Sequence, residues 1–247
     1  MAALNAACGL VLIRESHAPD RSVRLGFRVV NPIASLVRLN TDSRIRELVR
    51  IRALSEVARQ GYQATWVLYL GYRFNWSVAE IGLLYGVSAM FGVLVSAVLV
   101  GPIVRMLGER WALVAGLTAQ VVSFGGATVV TAGWALFPLV AIGSLHGLAI
   151  AVLQSEIAGR VSDGEQGIVQ GGLSSISSLA EMVVPIVGTA LFAWSVSTEA
   201  PVKMPGAALW LSCGALVVGL VLVFRSNPWS NSSETGVTSG SAPRGSE

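Results

Sequence analysis

Hydrophobic residues in this chain fall into long uninterrupted runs that are separated by short polar segments. The clearest pair is Val78–Val100 and Trp111–Ala132, joined by the polar segment Gly101–Arg110. A helix needs about 20 apolar residues to cross the hydrocarbon core of a bilayer, and each run meets that length. Two helices joined by so short a connection are antiparallel neighbours. The pattern therefore predicts a helix pair that crosses a membrane twice, with a turn at Gly101–Arg110.

Four more apolar runs predict four more crossings. The six predicted spans are Leu48–Leu70, Val78–Val100, Trp111–Ala132, Trp134–Ile157, Gly167–Trp194 and Ala207–Phe224. The predicted fold class is an all-α polytopic membrane protein, with a six-helix transmembrane bundle over residues 48–225. Residues 1–13 are apolar but too short to cross, and we interpret them as the end of a transmembrane helix. The polar, Ser- and Gly-rich residues 226–247 predict a disordered cytoplasmic tail.

The composition agrees with a membrane protein. Of the 247 residues, 53% are hydrophobic and 13% are charged, and the mean hydropathy is +0.66. Soluble domains carry about a quarter charged residues, and here the deficit extends over most of the length. A secreted soluble domain with a leader would leave a normal remainder, so that class is excluded. Two distant cysteines, Cys8 and Cys213, give no disulfide framework, and we expect no metal and no cofactor.

The positions of the basic residues predict the orientation. Arginines crowd into residues 14–47, which we interpret as a basic cytoplasmic loop, and recur at Arg105, Arg110, Arg160 and Arg225, whereas Arg73 and Lys203 lie on the other side. Short loops rich in Arg and Lys stay in the cytoplasm. The chain is therefore predicted to be a multi-pass protein of the cell inner (plasma) membrane. The net charge of +3 is explained by contact with membrane lipid, and we expect no nucleic acid partner.

The first span is unusually polar. Helical spacing places five residues on roughly one stripe: Arg52, Glu56, Arg59, Gln60 and Gln63. A charge near the bilayer centre costs about 2.5–3.5 kcal/mol, so such a stripe should face a wet cavity or a partner. The alternative is that the helix begins later, with residues 50–59 as a solvated cytoplasmic extension. For Arg52 the cavity and the solvated extension have equal weight. Gln60 and Gln63 lie deeper in the span, so for them we favour the cavity.

Three polar residues lie in the later spans. His146 and Gln154 are spaced to share a helix face, and Glu181 lies mid-span. Buried carboxylates and imidazoles can exchange protons, so Glu56, Glu181 and His146 are candidates for proton coupling. The alternatives are a packing carboxylate bonded to a neighbouring Ser for Glu181, and a hydrogen-bonded packing residue for His146. We expect no enzyme, because no His-Glu-x-x-His spacing and no paired intramembrane Asp occurs.

The turn between the second and third spans resembles a loop motif of the major facilitator superfamily. The motif reads Gly, three residues, Asp, Arg, any residue, Gly, Arg, then Lys or Arg. Gly101, Gly108 and Arg110 match it, whereas Arg105, Met106 and Glu109 depart from it. Six spans with a basic inner loop first and short turns after resemble one half of a transporter of this family.

Several blocks resemble the tetracycline-efflux branch of that family. They are Gln60 with Trp66, Tyr69, Arg73 and Trp76; Gly101-Pro102 with Leu107 to Arg110; and Leu153-Gln154 with Gln166-Gly167, Gln170-Gly171 and Pro185. The resemblance implies the carboxy-terminal half of such a transporter, from the end of its sixth helix to its twelfth. One departure is Gln120, where the branch has an intramembrane Asp. An amide exchanges no proton near neutral pH, so coupling in this half would need another group.

The resemblance also implies roles for the polar residues. A substrate cavity near mid-membrane would be lined by Gln60, Gln63, Gln154 and Glu56. Glu156 and Arg160 look like an inner-end latch of other branches, and Glu156 would pair with an Arg of the Gly101–Arg110 turn. The inner gate would then comprise Gly101, Arg105, Gly108, Arg110, Glu156 and Arg160.

Transport is the function that these observations predict. The first hypothesis is proton-coupled efflux of drug-like small molecules, with a small-molecule substrate and a proton as ligands. Because half a bundle supplies only half a cavity, the chain would pair with a missing amino-terminal half or form a homodimer. The alternatives are a non-transporting membrane module and an uptake transporter for a metabolite. A membrane-embedded enzyme is the weakest reading.

Overall fold

The computed structural model describes residues 43–161, 166–198, 200 and 203–226. The predicted helix end at 1–13, nearly all of the basic loop at 14–47 and the tail after residue 226 lie outside the described residues. Within them the secondary structure is entirely helical. The α-helices are α1 (Ser43–Phe74), α2 (Val78–Leu94), α3 (Val100–Val129), α4 (Leu136–Gly143), α5 (His146–Ala158), α6 (Gln166–Val196) and α7 (Ala207–Ser226).

Four helical stretches of the described chain are long and apolar enough to cross a membrane. They are Val78–Val129, Gly133–Ala158, Gln166–Val196 and Ala207–Arg225. Helix α1, which carries the charged residues of the polar stripe, is not among them. The first stretch has 52 residues, more than twice what one crossing needs. Its course within the bundle therefore decides how the chain is arranged.

The chain reverses within Val78–Val129, at Gly108. This glycine has φ 76° and ψ 163°, a conformation closed to residues with a Cβ, whereas the residues around it are helical. The contacts pair Trp76 with Gly133, Val95 with Gly147, Gly116 with Ala149, and Gly126 with Leu139. Before Gly108 the chain thus runs parallel to α4 and α5, and after it the chain runs antiparallel to them.

The sequence-based turn at Gly101–Arg110 was too long. Residues Gly101 to Leu107 continue the helix, and one glycine makes the reversal. A positive φ at a single residue redirects the chain without a polar loop. The polar residues of this segment did not reveal that the reversal occurs at one position. The predicted span Trp134–Ile157 is likewise interrupted, since α4 ends at Gly143 and α5 begins at His146.

Two clusters of buried side chains hold the helices together. One is mainly aliphatic and includes Leu48, Leu113 and Leu153. The other is aromatic and lies at the Phe74 end of α1, where Trp66 and Tyr69 pack with Leu136. The Tyr69 hydroxyl donates a hydrogen bond to the Ala127 carbonyl at 2.8 Å. This bond satisfies the Tyr69 hydroxyl, which the aromatic cluster would otherwise bury unpaired.

A short π-helical segment, Val95–Leu99, continues α2 into α3. Such segments place one extra residue in a helical turn and are frequent at functional sites. Here the segment packs against α5 through Val95, whose side chain lies beside Gly147. It therefore lies at the point where α2 meets the break between α4 and α5.

Candidate functional site

The polar stripe of α1 is organised around the carboxylate of Glu56. This side chain is 4% exposed, and its Oε1 lies 2.6 Å from Nη2 of Arg52. Its Oε2 accepts hydrogen bonds from Nε and Nη2 of Arg59, at 3.0 and 2.8 Å. Spacings of three and four residues bring all three groups to one face of the helix. A buried carboxylate is thus compensated by two guanidinium groups of its own helix.

Arg59 extends the stripe beyond Glu56. Its Nη1 donates a hydrogen bond to Oε1 of Gln63 at 3.0 Å. Its Nη2 lies 3.7 Å from Oε1 of Glu181 in α6, a side chain that is 58% exposed. The stripe therefore connects two helices through one arginine. Whether Glu181 couples a proton or serves as a packing carboxylate stays a prediction.

The helix begins before the stripe, not after it. Helix α1 starts at Ser43, so residues 50–59 are helical, and whether they lie in the membrane or extend into the cytoplasm stays a prediction. Arg50 pairs with Glu47 at 2.6 Å, and its side chain is 56% exposed. This exposure is what a solvated segment would show.

The four residues predicted to line a substrate cavity have different environments. Glu56 and Gln63 are joined through Arg59, as described above. Gln60 is buried with 6% exposure, whereas Gln63 and Gln154 are exposed. His146 is buried and Gln154 is not, so these two residues of α5 do not share an environment. Whether the four act together on a substrate stays a prediction.

A cavity of about 270 Å³ lies between α1, α2, α3 and the break between α4 and α5. Its lining comprises Tyr62, Ser88, Gly92, Ser96, Gln120, Ser123, Phe124, Val140, Gly143, Ser144, His146 and Gly147. None of these residues is an acid, a lysine or an arginine. His146 is 8% exposed, and its Nδ1 has no hydrogen-bond partner among the described residues. Sequence reasoning singled out His146 and Gln120 but missed the serines.

The residues predicted to form an inner gate lie in two places. Gly101, Arg105 and Gly108 are exposed within the stretch Val78–Val129. Glu156 pairs with Arg160 of its own chain segment at 2.5 Å. Nε of Arg110 is buried without a hydrogen-bond partner in the described part of the chain. A pairing of Glu156 with Arg110 in another conformation therefore remains a prediction. Among the described residues no cluster of three or more metal-ligating side chains occurs.

Comparison with known proteins gives consistent matches. The profile of the Major Facilitator Superfamily matches residues 51–244. The class C tetracycline resistance protein of Escherichia coli is 30% identical over 233 residues, which are 94% of this chain and 57% of that protein. The class G protein of Vibrio anguillarum is 30% identical over 207 residues, covering 82% of this chain and 52% of its own length. The chain thus spans about half the length of the curated relatives it matches.

A solved structure supports the fold. The crystal structure of a bacterial homologue of the iron transporter ferroportin, in an outward-facing state, superposes with a TM-score of 0.59. It is 19% identical and covers 91% of this chain and 52% of its own. An identity this low establishes the fold alone.

The helical stretches and this structural match together define the class as a multi-pass helical membrane protein. The chain belongs to the Major Facilitator Superfamily, because the family profile covers most of its length. The resemblance to the tetracycline-efflux branch is confirmed by relatives at 30% identity.

Proposed function

We propose that this chain forms the carboxy-terminal half of a proton-coupled efflux transporter for drug-like small molecules in the inner membrane. The observation that carries the proposal is the match to tetracycline resistance proteins along 94% of the chain. Those relatives are named for resistance to tetracycline. The polar stripe on α1, with exposed Gln63, and the exposed Glu181 of α6 supply a surface that a substrate and a second bundle would share.

The arrangement supports six crossings. Helix α1 would be the first, and Val78–Leu107 and Glu109–Val129 would be the second and third, reversed at Gly108. Gly133–Ala158, α6 and α7 would complete the set. The charges of α1 are compatible with a membrane span because Glu56 is paired with Arg52 and Arg59. The second half of the cavity would come from an amino-terminal half or from a second copy of this chain.

Proton coupling in this half would use Glu181. Glu56 is held by two arginines, whereas Glu181 is exposed and has a single, longer contact with Arg59. A carboxylate at a cavity surface with one loose cationic neighbour can release its partner when a proton binds. Glu156 and Arg160 would hold the cytoplasmic end of α5 while the cavity opens on the opposite side.

The test is transport by the purified chain in proteoliposomes whose interior is acidic. We expect radiolabelled tetracycline with Mg²⁺ to accumulate above protein-free liposomes, and a protonophore to abolish the accumulation. In Glu181→Gln, exchange of labelled for unlabelled tetracycline should persist, while accumulation driven by the pH gradient is lost. Glu80→Gln is the matched control, because Glu80 lies in a capping box at the start of α2 and glutamine preserves that box.

Absence of both accumulation and exchange would overturn transport by this chain. That result would favour the alternative of a non-transporting membrane module. Accumulation that survives in Glu181→Gln would retain transport and reject Glu181 as the coupling group.

A further inference from the structure

An apolar groove of about 470 Å³ lies where α6 and α7 pack against α1. Its floor is α1, where a Cβ on Gly61 would meet Oγ of Ser212 at 2.5 Å and Cγ1 of Val184 at 3.6 Å. Its walls are α6 and α7, and each wall carries a glycine without a side chain, Gly188 in α6 and Gly214 in α7. The groove therefore runs between two helices and is closed from below by a third.

The lining of the groove is almost entirely hydrocarbon, and no charged side chain belongs to it. The Ser212 hydroxyl lines it but already donates a hydrogen bond to the Ala208 carbonyl at 3.0 Å. The other side chain of the lining with a polar atom is Trp210, which is 46% exposed. A polar occupant would lose its hydration here without gaining partners, which is unfavourable. The part of an occupant that lies in the groove is therefore apolar.

The groove has the depth of one leaflet. Along α7 its lining extends from Ala208 to Val218, which is about 15 Å of helix. The hydrocarbon core of a bilayer is about 30 Å thick, so one leaflet supplies half of that depth. Trp210 lies in the first turn of α7, and tryptophan is enriched at the level of the lipid headgroups. A partner helix would run through both leaflets, whereas an acyl chain occupies only one.

The groove is turned away from the polar stripe. At 3.6 residues per turn, Gly61 lies about 140° around α1 from Glu56 and about 160° from Gln63. Both walls belong to stretches that are long and apolar enough to cross a membrane. Exposed apolar side chains border the groove, with Leu211 at 57% and Val187 at 51% exposure. These surroundings are those of a protein surface in contact with lipid.

Basic side chains lie at the end of the bundle where the groove begins. The Met204 amide donates to the Ser195 carbonyl near the end of α6, and the Ala207 amide donates to the Met204 carbonyl at the start of α7. The adjacent Lys203 is exposed and lies where the two walls end. Arg73, which is also exposed, lies in the last turn of α1. Cations at a membrane surface attract the headgroups of anionic lipids.

We propose that the groove holds one acyl chain of an anionic phospholipid whose headgroup lies at Lys203. The acyl chain would fill the space above Gly61, between Gly188 and Gly214. Because bulk lipid is as apolar as the groove, hydrophobic transfer alone gives little preference for this position. The preference comes from close van der Waals packing along the acyl chain and from the cation at the headgroup. This binding does not depend on transport.

The probe is phosphatidylglycerol with a diazirine at the middle of one acyl chain, and the comparison probe is phosphatidylcholine with the same chain. Each is added in trace amount to phosphatidylcholine nanodiscs that contain the purified full chain. After illumination, mass spectrometry locates the labelled residues. Residues 184–188 of the α6 wall should be labelled at least about fivefold more by the phosphatidylglycerol probe than by the phosphatidylcholine probe.

Val129 of α3 provides the internal reference for ordinary lipid contact. It is 69% exposed, and the adjacent Thr128 lies beside Gly206, just before α7. Val129 therefore lies in the same leaflet as the groove but outside it. The two probes should label Val129 equally.

Three variants assign the labelling to the groove. Gly214 and Gly171 are both exposed, and a Cβ at either position meets no atom within 4 Å, but only Gly214 lines the groove. Gly214→Leu should fill the groove and abolish the preference for phosphatidylglycerol at residues 184–188, whereas Gly171→Leu should keep it. Lys203→Gln should lower phosphatidylglycerol labelling about fivefold, the factor expected for one cation near the surface.

Four results would overturn the proposal. Equal labelling of residues 184–188 by the two probes would indicate ordinary lipid contact. Equal labelling of Gly214→Leu and Gly171→Leu would place the acyl chain outside the groove. Unchanged labelling of Lys203→Gln would remove the headgroup from that residue. If residues 184–188 are unlabelled and the chain is dimeric by light scattering, a second copy covers the groove instead. None of these results bears on tetracycline transport, so the two proposals fail separately.

Discussion

The charged stripe of α1 and the uncharged cavity beside His146 deal with buried polarity in opposite ways. In the stripe, both oxygens of the Glu56 carboxylate have arginine partners on the same helix. In the cavity, Nδ1 of His146 has no partner among the described residues. A charge inside a membrane is too costly to leave unpaired, whereas a neutral polar group costs less. The difference shows that the charged region is satisfied by its own contacts, whereas the neutral region keeps one buried polar atom without a partner among the described residues.

The largest expected effect comes from removing the centre of the stripe. Glu56→Leu leaves Arg52 and Arg59 without their shared carboxylate. Breaking a buried ion pair from one side costs about 3–5 kcal/mol, and we expect the lower end because both guanidinium groups keep partial exposure. The free energy of unfolding, measured in mixed micelles with increasing sodium dodecyl sulfate, should fall by about 3 kcal/mol.

Glu47→Leu is the matched control for that measurement. Glu47 pairs with Arg50 on the same helix at the same distance, but the arginine side chain is 56% exposed. A surface pair contributes about 0–1 kcal/mol, so this variant should lose little. Equal losses for the two variants would mean that the stripe is solvated and that its partners do not stabilise the fold.

A smaller effect of the opposite sign is expected in the cavity. His146→Phe removes the buried imidazole nitrogen and keeps a ring of similar size. Because an unsatisfied buried polar atom is lost, the free energy of unfolding should rise by about 1 kcal/mol. His146→Gln, which retains buried polar atoms, should show no gain. A loss of stability in His146→Phe would show instead that the imidazole makes a stabilising contact in the folded protein.

The smallest effect is expected where the stripe reaches α6. Glu181→Gln weakens one exposed contact of 3.7 Å with Arg59, while Arg59 keeps its bonds to Glu56 and Gln63. The free energy of unfolding should change by less than about 0.5 kcal/mol. A much larger change in the free energy of unfolding would mean that Glu181 stabilises the fold together with Glu56 and its arginines. Thermal unfolding of the purified variant, followed by intrinsic fluorescence, provides the measurement.

The sequence predicts the helical stretches well because the membrane imposes a length and an apolar content on each of them. It also predicts the stripe, because residues three and four apart on a helix must face the same side. The local breaks were harder. The reversal at Gly108 and the interruption between Gly143 and His146 depend on the backbone angles of a few residues. The apolar residues around them continue the helical pattern, so the pattern does not predict the breaks.

The cavity could not be predicted because its residues are distant in sequence. Ser88, Gln120 and His146 meet only when α2 and α3 pack against the break before α5. Single serines within apolar spans carry no signal of their own, since they also serve as small packing residues. Gln60 and Gln63 lie close in sequence on the same stripe, yet Gln60 is buried and Gln63 is exposed, a difference that depends on the neighbouring helices.

The π-helical segment at Val95–Leu99 has a consequence for the length of α2. The Val100 amide donates to the Val95 carbonyl, five residues back, so this turn holds one residue more than an α-helical turn does. Deleting that residue would restore regular geometry and rotate the stretch before Gly108 by about 100° relative to Ser88 and Gly92. The extra residue of this segment therefore sets which face the stretch leading to Gly108 turns toward the rest of the bundle.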